Sequence, residues 1–437
     1  MSRILRIELR RSAAAGTALT LLVVGAIVLA MDASFWAVGW MPLARSLREF
    51  LVLLFPLALA AGAWQARREQ RSNVAELFAT TARPRLQRFT PTLAALAIAA
   101  VCGYATLTGA SMLWIADSAT YLPATFFAVV GVGAVALVAA VWLGLAAGHL
   151  LPSAVTAPAL AVVGTGVLLL VPAATRPRDW LAALAGPNQG LGLYTDFATV
   201  PGRISAAQGI WLVALATAAV VLLAAGSRRT RVAALLPVLI GATAAVLVVP
   251  RGADWVRTPI DPVARELVCD ENGPRVCVAR VHAALLPATA AVARQGLTLL
   301  AKLPDAPREA VEDTTTFADP QTGQQQAGTA LFALVVVGDG LTDQDAILTS
   351  MLSAGGAGRH CPDAPNPALA LAVGSWLQGR EPAGDQWAEP GTIDQARAVW
   401  KELSALPEAE AAARAGAVRE AALACQELAE LPAGGAR

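Results

Sequence analysis

Two groups of residues in this chain have the types and spacing to do chemistry. The first is a charged stretch, Trp64 to Arg88, in which Arg67, Arg68, Arg71, Arg83, Arg85 and Arg88 surround Glu76, Leu77 and Phe78. Asn73 followed by Glu76 has the form of a capping box, and Pro84 would end the short helix it opens. Val74, Leu77, Phe78 and Thr81 would then share one face. A basic, amphipathic segment of this kind either docks a partner protein or only fixes how a membrane protein is oriented. The second group is thiols. Cys269, Cys277, Cys361 and Cys425 all fall in the C-terminal region, an even set that fits two disulfides in an oxidising compartment. Cys269 and Cys277 flank Asp270 to Pro274, whose Asn272-Gly273 is a hairpin signal, so a bridge across that hairpin is the first choice. Cys361 with Cys425 follows by elimination. Cys102, in an apolar run, reads as a small buried residue.

Other chemistry lacks its residues. His149, His282 and His360 belong to no H-E-x-x-H pair, so no zinc-peptidase site and no metal are expected. There is no G-x-S-x-G, only the fragment Gly374-Ser375-Trp376. Asp339, Asp343 and Asp345 cluster without the glycine and distal glutamate of a calcium loop and read as a solvated turn and helix cap. The two lysines, Lys302 and Lys401, do not follow a glycine, so the phosphate-cradling Walker A loop is missing. The chain is therefore expected to be no ATPase of its own and to need no cofactor. A net charge of +1 argues against nucleic-acid binding.

The elements that must position these residues are mostly apolar. Over 437 residues the chain is 56% hydrophobic with a mean hydropathy of +0.55, which points to a polytopic membrane protein with a domain attached. Residues 1–12 interleave Arg3, Arg6, Arg10 and Arg11 with apolar residues, as an interfacial segment would. Seven runs long enough to cross a bilayer follow, at about 13–31, 50–64, 92–116, 123–148, 153–171, 209–226 and 232–249. Trp36, Trp40 and Pro42 lie between the first two runs and suit an aromatic belt, with Arg45 and Arg48 nearby. Between the fifth and sixth runs, an insertion at 173–207 holds Trp180, Pro187, Gly190 and Tyr194.

Orientation follows from arginine. An inner N-terminus puts thirteen arginines on the inner side and five on the short outer loops, which favours that placement. Everything after Pro250 then lies outside, in agreement with the paired cysteines. By these boundaries no run contains a charged residue or histidine in its interior, whereas ion-coupled carriers use such groups for coupling. Gly144 and Gly148 make a small-xxx-small pair, which a Gly- and Ala-rich chain also produces by chance. The rest of the C-terminal region reads as helices at 283–302, 327–337, 343–352, 367–377, 394–403 and 407–431.

The loop from Arg67 to Thr81 resembles the one between the first two pairs of helices in permease subunits of ABC-2-type transporters. There an Arg-rich helix end runs into a short coupling helix of the form Ala-Glu-Leu-Leu-Ala-Thr-Thr. The matching residues are Arg67-Arg68-Glu69-Gln70-Arg71 and Ala75-Glu76-Leu77-Phe78-Ala79-Thr80-Thr81. Asn73-Val74 replaces the usual Gly-Thr, and the proline after the threonines has slipped to Pro84. The resemblance implies a permease subunit that exports its cargo, works as a homodimer or heterodimer and is driven by a separately encoded P-loop ATP-binding subunit. Arg67, Arg68, Arg71, Glu76, Leu77 and Phe78 would carry the coupling. The fold expected is all-α: a six-helix ABC-2-type bundle plus a seventh span at 13–249, with a cytoplasmic coupling loop at 65–91. Residues 250–437 would form a mostly α-helical, disulfide-bonded extracytoplasmic domain with a small β-hairpin. The protein would lie in the plasma membrane as a multi-pass protein. The competing expectation is a membrane-anchored extracytoplasmic binding or sensing domain without transport.

Overall fold

The structure is a computed structural model and describes residues 7–9, 12–71, 84–191, 195–251, 260–315, 328–334, 336–337, 340–341, 344–353, 366–383, 390–424, 426 and 428–432. The chain divides into two compact units, one of residues 1–117 with 122–260 and one of 118–121 with 261–437.

The first unit is helical. Its elements are α1 (Ala14–Met31), α2 (Ala33–Trp36), α3 (Trp40–Glu49), α4 (Leu51–Arg71), α5 (Arg85–Ile115), α6 (Thr125–Leu150), α7 (Thr156–Ala174), α8 (Asp179–Ala185), α9 (Gly202–Ala224), α10 (Arg228–Ala233) and α11 (Leu235–Val248). Among the described residues seven helices have the length and apolar composition to cross a membrane, and the bent pair α3 and α4, meeting at 47°, makes an eighth if it is counted as one span. Large apolar side chains face outward on several of them, with Val162 72% and Ile240 68% exposed. Many large apolar side chains left exposed on long apolar helices suit lipid better than water.

The cores of these spans lie where the apolar runs place them, but their ends differ. Helix α4 continues past its apolar run to Arg71, and α5 begins at Arg85 rather than near Thr92. Arg85 Nη1 donates to the Ala225 carbonyl at 2.6 Å, so it caps the C-terminal end of α9, where a cation is favoured. The expected aromatic belt is also displaced. Trp36 is 2% and Trp40 9% exposed; they pack edge-on against Trp114 and Phe126 rather than line a membrane surface. Both gain more by burying indole area in the bundle, and Trp36 Nε1 satisfies its donor on the Leu29 carbonyl at 2.7 Å.

Helices α4 and α6 pack through glycine. A Cβ on Gly144 would overlap the Leu59 carbonyl, one on Gly62 would overlap the Val141 carbonyl, and one on Gly148 would lie 2.9 Å from Ala63 Cα. The small-residue pair at Gly144 and Gly148 is therefore a helix–helix contact and not a chance of composition.

The second unit contains a four-stranded sheet in the order β1 (Leu267–Asp270), β2 (Val276–Ala279), β3 (Glu309–Glu312) and β4 (Thr329–Phe332). Strand β1 runs antiparallel to β2, while β2, β3 and β4 are parallel. Strands β5 (Val336–Val337) and β6 (Gly340–Leu341) form a separate two-stranded ladder. After β2 a 3-10 turn (Arg280–Leu285) leads into α12 (Leu286–Leu300), followed later by α13 (Gln344–Leu352), α14 (Pro367–Gln378), α15 (Pro390–Ala405) and α16 (Glu408–Leu423).

The expected hairpin is present, with Cys269 opposite Cys277, a disulfide between them, and Gly273 at φ +104° in the turn. It is, however, one edge of a larger mixed sheet. The helix expected at 327–337 is absent: its described residues include β4, because a short apolar run bounded by turns cannot be told from a buried strand by periodicity. Residues 280–300 have the composition of a span. They nevertheless belong to this unit, because Ala290, Ala293, Leu297 and Leu300 join Val276, Val278 and Ala310 in its apolar core. Residues 118–121 belong here as well, and Tyr121 Oη donates to Asp261 Oδ2 at 2.7 Å. Burial, and then the adjoining carboxylate, push the Tyr121 phenol up to about 12. Peptide mapping of unreduced, alkylated protein is expected to recover Cys269 and Cys277 joined, and free alkylated thiols at both would contradict the hairpin. Closing so short a loop stabilises by about 2–3 kcal/mol, so the double serine variant should unfold at a lower temperature.

Candidate functional site

The first unit buries charge at one end of its bundle. Arg45 and Arg48 lie one turn apart on α3 and are only 2% and 0% exposed. Sequence reading placed both on an outer loop, and placed no charged residue inside a span. Helix α3 instead meets α4 at 47°, the geometry of a broken span or a re-entrant loop. Its Leu43, Ala44 and Leu47 are buried with the arginines, so the chain cannot hide that apolar face without taking the guanidinium groups inside. A buried charge survives in such surroundings only when its donors are satisfied.

Arg48 meets that condition with backbone and amide oxygens. Its Nε donates to the Pro187 carbonyl at 2.6 Å, Nη2 to the same oxygen and to Gln208 Oε1 at 2.6 Å, and Nη1 to the Val129 carbonyl at 3.3 Å. No carboxylate among the described residues pairs with it. Gln208, 1% exposed on α9, uses its Nε2 on the carbonyls of Ala183, Gly186 and Gln189 at 2.6, 3.2 and 3.0 Å. The two side chains thus hold α8 and the turn after it against α3, α6 and α9. Val129 lies four residues into α6 and Gln208 six into α9, so the contact is about 6 to 9 Å below those helix starts.

Three polar side-chain atoms in this part of the unit have no hydrogen-bond partner: Tyr104 Oη, Ser205 Oγ and Asn188 Oδ1, the last next to Pro187. Tyr104 Oη is buried on α5, close against Gly133. Ser205 Oγ is buried on α9, one turn before Gln208. Unsatisfied buried groups are few in folded proteins, so these three mark unused hydrogen-bonding capacity in this part of the unit.

The residues singled out by sequence are only partly brought together. Arg67, Arg68 and Arg71 occupy the last turns of α4. Glu76, Leu77 and Phe78 lie outside the described residues, as do Cys361 and Cys425. Cys269 and Cys277 are joined. The Arg48 and Gln208 centre was missed for a definable reason. Cutting a span at its last polar residue started the sixth run at Gly209 and so excluded Gln208, the residue that ties the centre together. The readable signal was polar Ser205 and Gln208 at i, i+3, followed by an uninterrupted apolar helix.

A second buried polar pair lies in the second unit, at the carboxyl ends of its parallel strands. His282 Nδ1 is 2.7 Å from Glu312 Oε1, each side chain 2% exposed, and Glu312 Oε2 accepts from the Ala279 amide at 2.7 Å. Asp313 adjoins it and accepts from the Thr315 amide and hydroxyl. The pair fastens the end of β3 to the turn after β2, too deeply to meet a solute in this conformation. Among the described residues no three His, Cys, Asp or Glu side chains converge to hold a metal ion. No protein-family model, curated protein or solved structure matches the chain.

Proposed function

We propose that this chain is the permease subunit of an ABC transporter, an exporter powered by a separate ATP-binding subunit docked on residues 64–88. The observation that carries the reading is the way α4 and α5 meet that stretch. Helix α4 stays helical beyond its apolar run through Arg67, Arg68 and Arg71, and α5 already carries Arg85 and Arg88 in its first turn. Two apolar helices with basic ends therefore flank a short connection, which is the arrangement a mechanical coupling element requires. Glu76, Leu77 and Phe78 would form the contact, with the cargo path in the helical unit of a permease dimer. The 250–437 region would face the outside, where the Cys269–Cys277 disulfide is chemically at home.

Replacing Glu76, Leu77 and Phe78 together by alanine tests this. The variant is expected to keep its membrane yield and lose a co-purifying P-loop ATPase. Retention of the ATPase at the wild-type ratio would remove the proposed docking site.

A second reading is favoured by one feature, the separate apolar core of the second unit. It makes that unit a binding or sensing domain and the helices its anchor. Saturable ligand binding that leaves ATP-driven transport unaffected would support it.

A further inference from the structure

We propose that a crevice between α1 and α4 is a binding site for one anionic phospholipid, held as a constituent of the protein rather than carried as cargo. The inference requires only that the helical unit lies in a bilayer, and it stands apart from the transport reading.

The two helices meet unevenly. At one end Gln65 of α4 reaches across, and its Oε1 accepts from the Ala13 amide at 2.8 Å. Farther along, α1 leans on α5 instead: a Cβ on Gly103 would lie 2.9 Å from the Ala18 carbonyl oxygen, and one on Gly25 would overlap the Leu107 side chain. Between α1 and α4 this leaves a crevice of about 370 Å³, at the lower end of the range for small-ligand sites. Gly16 lines it, and a Cβ there would meet nothing within 4 Å.

The lining grades from polar to apolar. Ser12, Thr17 and Thr20 bring hydroxyls to the α1 wall, while Leu21, Leu57 and Trp64 supply apolar surface. The Gln65–Ala13 bond fixes the order: Trp64 lies at the Ser12 end, and Leu57, roughly 12 Å back along α4, lies toward Leu21. Ser12 Oγ accepts from the Ala14 amide at 3.1 Å, which leaves its own proton for an acceptor. Charge follows the same gradient. Arg10 and Arg11 precede Ser12 in the sequence, and Arg67 lies one turn beyond Trp64, so the chain is basic where the crevice is polar. A phosphate headgroup at that end, with an acyl chain laid toward Leu21 and Leu57, matches both gradients, and an exposed tryptophan is the side chain expected at headgroup level. A neighbouring apolar helix would cover Leu21 and Leu57 but would offer the hydroxyls and the basic end no acceptor.

Native mass spectrometry of the full-length protein, delipidated and then titrated with phosphatidylglycerol, counts the lipids retained per chain. One phosphatidylglycerol should bind ahead of the rest, and about fivefold or more tighter than phosphatidylcholine, the effect of one nearby arginine. Gly16→Leu fills the crevice; each displaced methylene is worth about fourfold, so this binding should weaken by about tenfold or more. Gly131→Leu also projects into open space and should leave it unchanged. Equal affinity of the wild-type protein and Gly16→Leu for phosphatidylglycerol, or no preference over phosphatidylcholine, would overturn the site. A dimer that dissociates in Gly16→Leu with lipid retention unchanged would give the crevice to a second copy and overturn it equally. Thr20→Val keeps the shape and removes one hydroxyl, which guards against a Gly16→Leu that fails to fold. It should weaken phosphatidylglycerol binding about fivefold, and no weakening would overturn the role of the hydroxyl wall.

Discussion

Gly144→Leu is expected to abolish recovery of folded protein, whereas Gly131→Leu, in the same helix, is expected to be silent. A Cβ at Gly144 would overlap the Leu59 carbonyl of α4, while one at Gly131 meets nothing within 4 Å. Backbone cannot rotate away as a side chain can, so a leucine at Gly144 must push α4 and α6 apart. The same seam holds Gly62 and Gly148, so the displacement spreads along its length. Overpacking of this kind costs about 3 kcal/mol or more, a large share of a total stability near 5–15 kcal/mol. Yield of monodisperse protein in detergent and its thermal aggregation temperature measure the effect. Equal behaviour of the two variants would mean that α4 and α6 do not meet through this glycine.

The second large effect belongs to Glu312. Glu312→Ala leaves His282 without its carboxylate and the Ala279 amide without its acceptor, both in the interior of the second unit. Removing the acceptor from a buried hydrogen bond costs about 1–3 kcal/mol for each donor that loses it. The sheet ends should therefore loosen, and limited proteolysis should begin cutting within 261–315 while the helical unit remains protected. Glu312→Gln retains one acceptor oxygen but turns its amino group toward a second donor, so an intermediate effect is expected. Wild-type resistance in the alanine variant would mean that the pair does not fasten β3 to the turn after β2.

These two positions also mark what sequence could and could not convey. The apolar runs located the spans because lipid demands about twenty apolar residues per crossing whatever the packing partner. The Asn272-Gly273 turn and flanking cysteines likewise specified the hairpin from local chemistry alone. Contacts between distant segments left weaker traces. Glu309-Ala310-Val311-Glu312 is a strand whose buried glutamate makes sense only beside His282, which lies 30 residues earlier. Arg48 looked like a loop residue because the oxygens that satisfy it, at Pro187 and Gln208, are supplied from 139 and 160 residues away. Trp36 and Trp40 followed the rule for interfacial aromatics, yet both are packed inside the bundle against Trp114 and Phe126. In each case the deciding term was burial against a remote partner, which neither periodicity nor composition encodes. The stretch that resembles a coupling loop stood out by motif, and its residues 72–83 lie outside the described residues.

The most direct test of the transport reading is purification of the tagged, full-length protein from its native membrane in mild detergent, with every stoichiometric partner identified by mass spectrometry. A permease subunit should bring down a P-loop ATPase in a fixed ratio. Recovery of no ATPase, under conditions that keep other transporter complexes intact, would contradict the reading and make the second unit the working part of the molecule.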